Sequence, residues 1–233
     1  LHRAALNSET GVEGAQLNDL QWTRDKHYLS AAPGSVRFAN TNKNAKRLSY
    51  FLTNAAAPLN AMDFANTGYT VEAFVKIDKD WNSSLHSWMN IMTRDGRRDS
   101  IAGFTGGDGE SPPLLFAVSS LREIQWEIMP PGTQSRSPQA SWSGEIMADS
   151  WVHIALVADP VAKESILYVE GAPVLRNSGD ASGLAPVSAT MPWVVGAGSW
   201  AGERGDGFFG NIGEIRIAAE PLSSKQWLTA RRS

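Results

Sequence analysis

Nine tryptophans stand in a chain of 233 residues. An indole face suits stacking on the apolar C–H face of a pyranose ring, and the same ring is also among the best fillers of a core. Trp200 lies in Gly196-Ala197-Gly198-Ser199-Trp200-Ala201-Gly202-Glu203-Arg204-Gly205-Asp206-Gly207, where no apolar pattern exists to bury it, and Trp142 lies in Ser141-Trp142-Ser143-Gly144. Both read as stacking platforms at loop rims, with Arg94, Asp108, Arg122 and Asp206 as polar contacts beside them. Trp126 shares parity with Ile124 and Ile128 and is assigned to a core-facing strand. Trp151 and Trp227 read as structural, and Trp81 and Trp88 rank below Trp200 and Trp142 as ligand residues.

Carboxylates offer two further chemistries. The loop Arg94-Asp95-Gly96-Arg97-Arg98-Asp99-Ser100, continuing to Gly106-Gly107-Asp108-Gly109-Glu110, could converge oxygens on a hard cation such as calcium, which takes six to eight of them. Asp95 and Asp99 are the candidate ligands. The spacing is not that of an EF-hand, and the competing reading is a solvated loop of Arg–Asp pairs. No cofactor is required, and a structural calcium is the one option kept. Glycoside hydrolysis needs two carboxyl groups about 5–9.5 Å apart. Glu123 and Glu127 share a strand face but sit about 13 Å apart at the usual strand rise. Asp78 and Asp80 have the spacing, yet they flank Lys79 where a strand runs into a loop. Glu72 and Arg216 are expected to pair structurally, and His153, in an apolar strand, reads as a hydrogen-bonded structural histidine. The chain has no Cys, which excludes disulfides, zinc knuckles and thiol nucleophiles. Its four His, at positions 2, 27, 86 and 153, form no local metal motif, and Gly-x-Ser-x-Gly, phosphate-loop and His-Glu-x-x-His patterns are absent.

Residues 42% hydrophobic and 19% charged describe a folded chain rather than a disordered one. Net charge is −3 and no basic run exceeds a pair, so nucleic acid is not an expected partner. No apolar stretch reaches the length of a membrane span. The start lacks a signal-type segment and a Met, which suggests a mature or excised portion of a longer precursor.

The elements that must position these residues read as strands. Val71, Ala73, Val75 and Ile77 alternate with polar or larger neighbours over Tyr69–Ile77, and Arg122–Met129 does the same. Leu114–Ser119, Trp151–Ala158, Ile166–Glu170, Val174-Leu175, Pro192–Ala197 and Phe208–Ile217 complete the series, with helix confined to a short turn in Ser223–Arg231. Strands every 8–12 residues between Gly, Pro, Asn and Ser clusters predict an all-β antiparallel sandwich. In an up-and-down order the loops Arg94–Pro113 and Pro130–Ser141 share one end, and those at Asp78 and Gly198 the other. Residues 1–34 read as an arm or linker remnant packing on a domain of 35–233.

Tyr69-Thr70-Val71-Glu72-Ala73-Phe74-Val75-Lys76, Ser150-Trp151-Val152-His153-Ile154-Ala155-Leu156-Val157, Leu167-Tyr168-Val169-Glu170-Gly171 and Phe208-Phe209-Gly210-Asn211-Ile212-Gly213-Glu214-Ile215-Arg216-Ile217 resemble, in this order, strands of laminin G-like domains of the concanavalin A-like lectin and glucanase superfamily. The likeness runs over about residues 35–228. It implies a two-sheet jelly roll and a secreted or extracellular binding module, non-catalytic, with polysaccharide or glycan, or a neighbouring domain of a longer precursor, as partner. Two positions depart from the pattern. Gly213 stands where the family often has an Asp before the Glu, and Glu170 where Asp or Asn is common. Ser120-Leu121-Arg122-Glu123-Ile124-Gln125-Trp126 is also similar to laminin G-like modules attached to bacterial metallophosphoesterases. The alternatives are therefore an interaction module of such a secreted enzyme, or a polysaccharide hydrolase or lyase.

Overall fold

The alternating run Tyr69–Ile77 is a sheet-centre strand in the computed structural model, which describes residues 6–10, 20–41, 48–131, 138–177 and 183–230. In chain order the strands are β1 (Leu6–Thr10), β2 (Leu20–Thr23), β3 (Ser35–Ala39), β4 (Ser49–Thr53), β5 (Tyr69–Ile77), β6 (Met89–Arg94), β7 (Leu114–Val118) and β8 (Glu123–Ile128). They continue as β9 (Gln139–Glu145), β10 (Trp151–Asp159), β11 (Glu164–Val169), β12 (Ala172–Pro173), β13 (Trp193–Val195), β14 (Gly198–Trp200), β15 (Glu203–Gly205) and β16 (Phe209–Ala218). Single helical turns α1 (Phe64–Thr67) and α2 (Ser83–His86) lie between strands.

Two seven-stranded antiparallel sheets stack into a sandwich. The first has the order β1-β4-β13-β6-β7-β8-β9, the second β12-β11-β10-β5-β16-β3-β2, and β14 pairs with β15 as a separate hairpin. Met89, Phe116, Ile124 and Trp126 of the first sheet share one core cluster with Val71, Val75, Ile154 and Leu156 of the second, each at 2% exposure or less. Burying side chains of this size contributes roughly 1.5–3 kcal/mol each, so the alternation visible in β5 and β8 is what brings the sheets together. The all-β jelly-roll reading holds, and so does the C-terminal turn. It is a 3₁₀ turn, Ser224–Gln226, closed by Ser223, whose N–H and Oγ both donate to Gln226 Oε1.

Several elements escape the sequence pattern. β6 reads Met-Asn-Ile-Met-Thr-Arg, with no apolar–polar alternation to mark it, although all six residues are buried. β3, β4 and β9 also go unmarked. α1 and α2 are one turn each, started by Asp63 accepting from the Ala65 N–H and Asn82 from the Ser84 N–H, and one turn is too short to show a 3.6-residue period. The expected placement of loops is corrected at one point. The Gly198–Gly207 segment does not lie opposite Arg94–Pro113: Arg204 Nη2 is 3.0 Å from Asp95 Oδ2, and the Ala201 N–H donates to the Glu110 carbonyl at 3.1 Å. The cause is that β14 and β15 pair only with each other and fold back on the first sheet. Of residues 1–34, β1 extends one sheet beside β4 and β2 the other beside β3, and 1–5 and 11–19 lie outside the described residues. So do 132–137 of the Pro130–Ser141 loop. No helix of the described residues is long and apolar enough to cross a membrane.

Candidate functional site

Pairing across four strands sets a row of side chains on the outer face of the first sheet. Asn90 stands opposite Ala117, Ala117 opposite Gln125, and Gln125 opposite Trp142. Phe116 and Trp126, one residue along, point the other way into the core. Trp88 precedes this row by two residues on the β6 side. Its N–H donates to the Val118 carbonyl at 2.7 Å, and its φ is +68°. The Trp88 and Trp142 ring centroids are 6.2 Å apart at an interplanar angle of 80°, the edge-to-face arrangement that aromatic pairs favour. Their strands, separated by β7 and β8, run about 14 Å apart at the usual strand spacing. The indoles therefore meet between β6 and β9, on the side of the sheet that carries the Asn90–Ala117–Gln125 row. Ala117 is 2% exposed and Gln125 6%, whereas Trp88 remains 43% exposed.

Polar groups line this platform in donor–acceptor pairs. Along the outer face of β8, Glu123 Oε1 accepts from Arg176 Nη2 at 2.6 Å and Glu123 Oε2 from Ser119 Oγ at 3.2 Å. Gln125 Nε2 donates to Glu127 Oε2 at 2.9 Å, and Arg98 Nη1 to Glu127 Oε1 at 2.5 Å. The Arg176 guanidinium also lies over Trp142, 5.5 Å from the ring centroid, a cation–π contact that steadies the indole. Arg98 is almost wholly buried, its Nε donating to the Pro112 carbonyl at 2.8 Å. Burial pushes its pKa down, and Glu127 works against that shift.

The β14–β15 hairpin borders the same face. The Asn90 N–H donates to the Asp206 carbonyl at 2.8 Å, and Gly198 packs so close that a Cβ there would sit 2.3 Å from Asn90 Nδ2. Arg204 lies over Tyr50 at 5.1 Å and bonds Asp95, while Ser199 Oγ reaches Asp95 Oδ1 at 3.4 Å. Trp200, at the end of β14, is 48% exposed.

These contacts place each residue singled out from sequence. Trp142 belongs to the platform and Trp200 to the hairpin at its border. Arg122, at φ +58°, donates to Glu145 and covers Trp81 at 5.7 Å. Asp108 is exposed at φ +56°, its carbonyl accepting from the Ser111 N–H. Asp206 is half-buried and holds Asn90 through its carbonyl. Arg94 does not stand at a rim. It is 2% exposed, stacks 5.6 Å over Trp193, and donates to the carbonyls of Asn60 at 2.7 Å, Ser188 at 3.2 Å and Met191. Burial lowers its pKa to about 10, with Asp95 pulling it back up. Behind it is a cavity of about 330 Å³ lined by Asn60–Asn66, Arg94 and parts of 184–189. Asp95 is turned to Arg204 and Asp99 to Arg97, at 3.0 and 2.5 Å. Among the described residues no group of three or more His, Asp or Glu is placed to hold a metal ion.

Trp88, a lesser ligand candidate on sequence than Trp200, stands beside Trp142. Its signal would have been a bulky residue at positive φ, which sequence does not display. Glu72 is fully buried and fully occupied. Arg216 Nε donates to its Oε1 at 2.6 Å, the Leu228 N–H to its Oε2 at 2.7 Å, and His153 Nε2 lies 2.9 Å from Oε2.

A laminin G family model, described as the concanavalin A-like lectin/glucanases superfamily, matches residues 51–226. No curated protein sequence matches the chain. Among solved structures, the CBM40 of the Ruminococcus gnavus IT-sialidase, bound to alpha2,3 sialyllactose, superposes with a TM-score of 0.56 at 12% identity, covering 84% of this chain and 96% of that one. The binding domain of botulinum neurotoxin serotype D gives 0.55 at 11%, covering 93% and 44%. At these identities the likeness is one of fold.

Proposed function

This chain belongs to the laminin G family within the concanavalin A-like lectin/glucanase superfamily, and from that premise we propose that it is a non-catalytic, extracellular carbohydrate-binding module. The Trp88–Trp142 platform carries the reading: two indoles, one of them 43% exposed, laid over a sheet face with hydrogen-bonding groups beside them. A pyranose offers an apolar C–H face to such a ring and hydroxyls at its rim. Arg176 lies over Trp142, Gln125 stands opposite it on the next strand and Glu123 bonds Arg176, so hydrogen-bonding groups flank the ring. Support also comes from the neighbours of like fold, one a CBM40 seen with a bound trisaccharide and one a binding domain by description.

A hydrolytic role would require two carboxyl groups working on one bond. Here Glu123 and Glu127 each carry their own arginine, and Glu72 is closed in by Arg216, His153 and the Leu228 N–H. That partnering favours binding over turnover. In affinity electrophoresis through gels containing plant, fungal or bacterial polysaccharides, we expect retardation by at least one of them. Trp142→Ala and Trp88→Ala are each expected to weaken it tenfold or more, about 1.4 kcal/mol, in line with loss of a stacking aromatic. Undiminished retardation of both variants would overturn the assignment of the site, and a hydrolysed gel matrix would overturn the non-catalytic reading.

A further inference from the structure

Resting on the platform reading above, we propose that the ligand of this face is a neutral saccharide rather than an acidic one. An anionic sugar is recognised by a cation with charge to spare, commonly an arginine presenting its planar fork to the ligand carboxylate. Around this platform each of these arginines among the described residues already has a carboxylate partner, while some of its N–H groups stay unused. Arg176 is bound to Glu123, Arg98 to Glu127, Arg122 to Glu145, Arg204 to Asp95 and Arg97 to Asp99. Arg94 lacks a carboxylate partner, but it is buried on the inner side of the sheet, where its Nη groups donate to Asn60, Ser188 and Met191.

The pairing also orients what a ligand meets. At the β8 end near Arg98, the carboxylate of Glu127 is 18% exposed while its arginine is 1% exposed, so there the acid stands in front of the cation. At the Glu123 end Arg176 is 58% exposed and Glu123 17%, so that exposed cation is neutralised by the carboxylate it is paired to. A ligand carboxylate would have to displace Glu127 or lie against it, and like charges at contact distance repel strongly in a partly desolvated site. Hydroxyls have no such conflict. Each can donate to a lone pair left on Glu123 or Glu127 and accept from a remaining arginine or Gln125 N–H, so a face of compensated ion pairs reads neutral polyols.

The test uses the full 233-residue chain and two matched probe sets on one glycan array: neutral gluco-, manno-, galacto- and xylo-hexaoses, and acidic hexagalacturonate, hyaluronan hexamer and sialyllactose. The expected result is that the best neutral probe binds at least tenfold tighter than the best acidic one. Glu123→Gln, which frees the exposed Arg176 without changing the side-chain shape, is expected to narrow that gap by threefold or more through a gain on the acidic probes. Wild-type preference for an acidic probe would overturn the inference while leaving the platform reading in place, as long as Trp142→Ala abolishes that binding. A gap unchanged by Glu123→Gln would overturn it as well. Binding to neither set would overturn both.

Discussion

Trp88 holds a backbone conformation, φ +68°, that costs a bulky residue on the order of 1–3 kcal/mol and persists only where the surroundings enforce it. Its N–H on the Val118 carbonyl and its ring on Trp142 are the enforcing contacts. Strain of this kind clusters at ligand-contacting positions, which strengthens the assignment of Trp88 to the site. Arg94 is the opposite case, an arginine whose role is internal. A register shift between Asn90 and Met92 leaves Asn90 opposite Ala117 on the outer face but sets Met92 and Arg94 opposite Phe116 and Leu114 on the inner one. There its fork ties the Pro58–Ala61 turn to the 188–191 segment. Arg94→Ala strips several buried carbonyls of their donor, and we expect a loss of about 3 kcal/mol in urea unfolding. Arg94→Lys, lacking the fork, should recover less than half of it. An unchanged urea midpoint for the alanine variant would refute this role.

At the scale of elements, the single turn α2 fixes one corner of the sandwich through His86. The ring is 3% exposed and stacked 4.4 Å from Phe209. Its Nε2–H donates to the Thr41 carbonyl at 2.8 Å, and its Nδ1 accepts from the Asn82 N–H at 2.8 Å. Accepting at Nδ1 requires the neutral ring. Burial accordingly lowers the His86 pKa below its ordinary 6.5, against the pull of the Thr41 carbonyl and Asp78. Burial lowers His27 too, with Glu170 opposing. Because the folded pKa values are depressed, the unfolded chain binds protons first as pH falls. The stabilisation is complete above about 6.5 and is lost as pH drops through the folded values. Urea midpoints measured from pH 7.5 to 5.5 should therefore decline, and His86→Gln should flatten part of the slope. Midpoints that rise on acidification would contradict the assignment. A second clasp, Glu72 with Arg216 and the Leu228 N–H, ties the C-terminal segment to the centre of the second sheet, where Leu222 and Trp227 cover Ala155.

For the molecule as a whole, binding of a structural calcium at Asp95 and Asp99 would be measurable as a gain in stability. Asp95 and Asp99 have guanidinium counter-ions, so a cation would have to break two ion pairs to recruit them. Saccharide retardation should survive EDTA, and millimolar calcium should move Tm by less than about 1 °C, since a ligand binding only the folded state stabilises it. A rise of several degrees would show a calcium site. The two-sheet body itself was legible in the residues. Alternation in Tyr69–Ile77 and Glu123–Ile128 gives each strand a buried face, Trp126 falls on it by parity, and the order of the strands carries the family resemblance, because side-chain period is a local property of a strand. The site was legible only in part. Trp142 was named, but Trp88 became its partner only through the β6-β7-β8-β9 pairing, and Arg94 left the rim because one bulge reversed its parity. The hairpin bearing Trp200 likewise meets the Arg94–Pro113 loop, at the end opposite to the one an up-and-down strand order implies. Which strands lie side by side, and where a register slips, is decided by packing between segments far apart in the chain, so it is written in the fold and not in any one stretch of sequence.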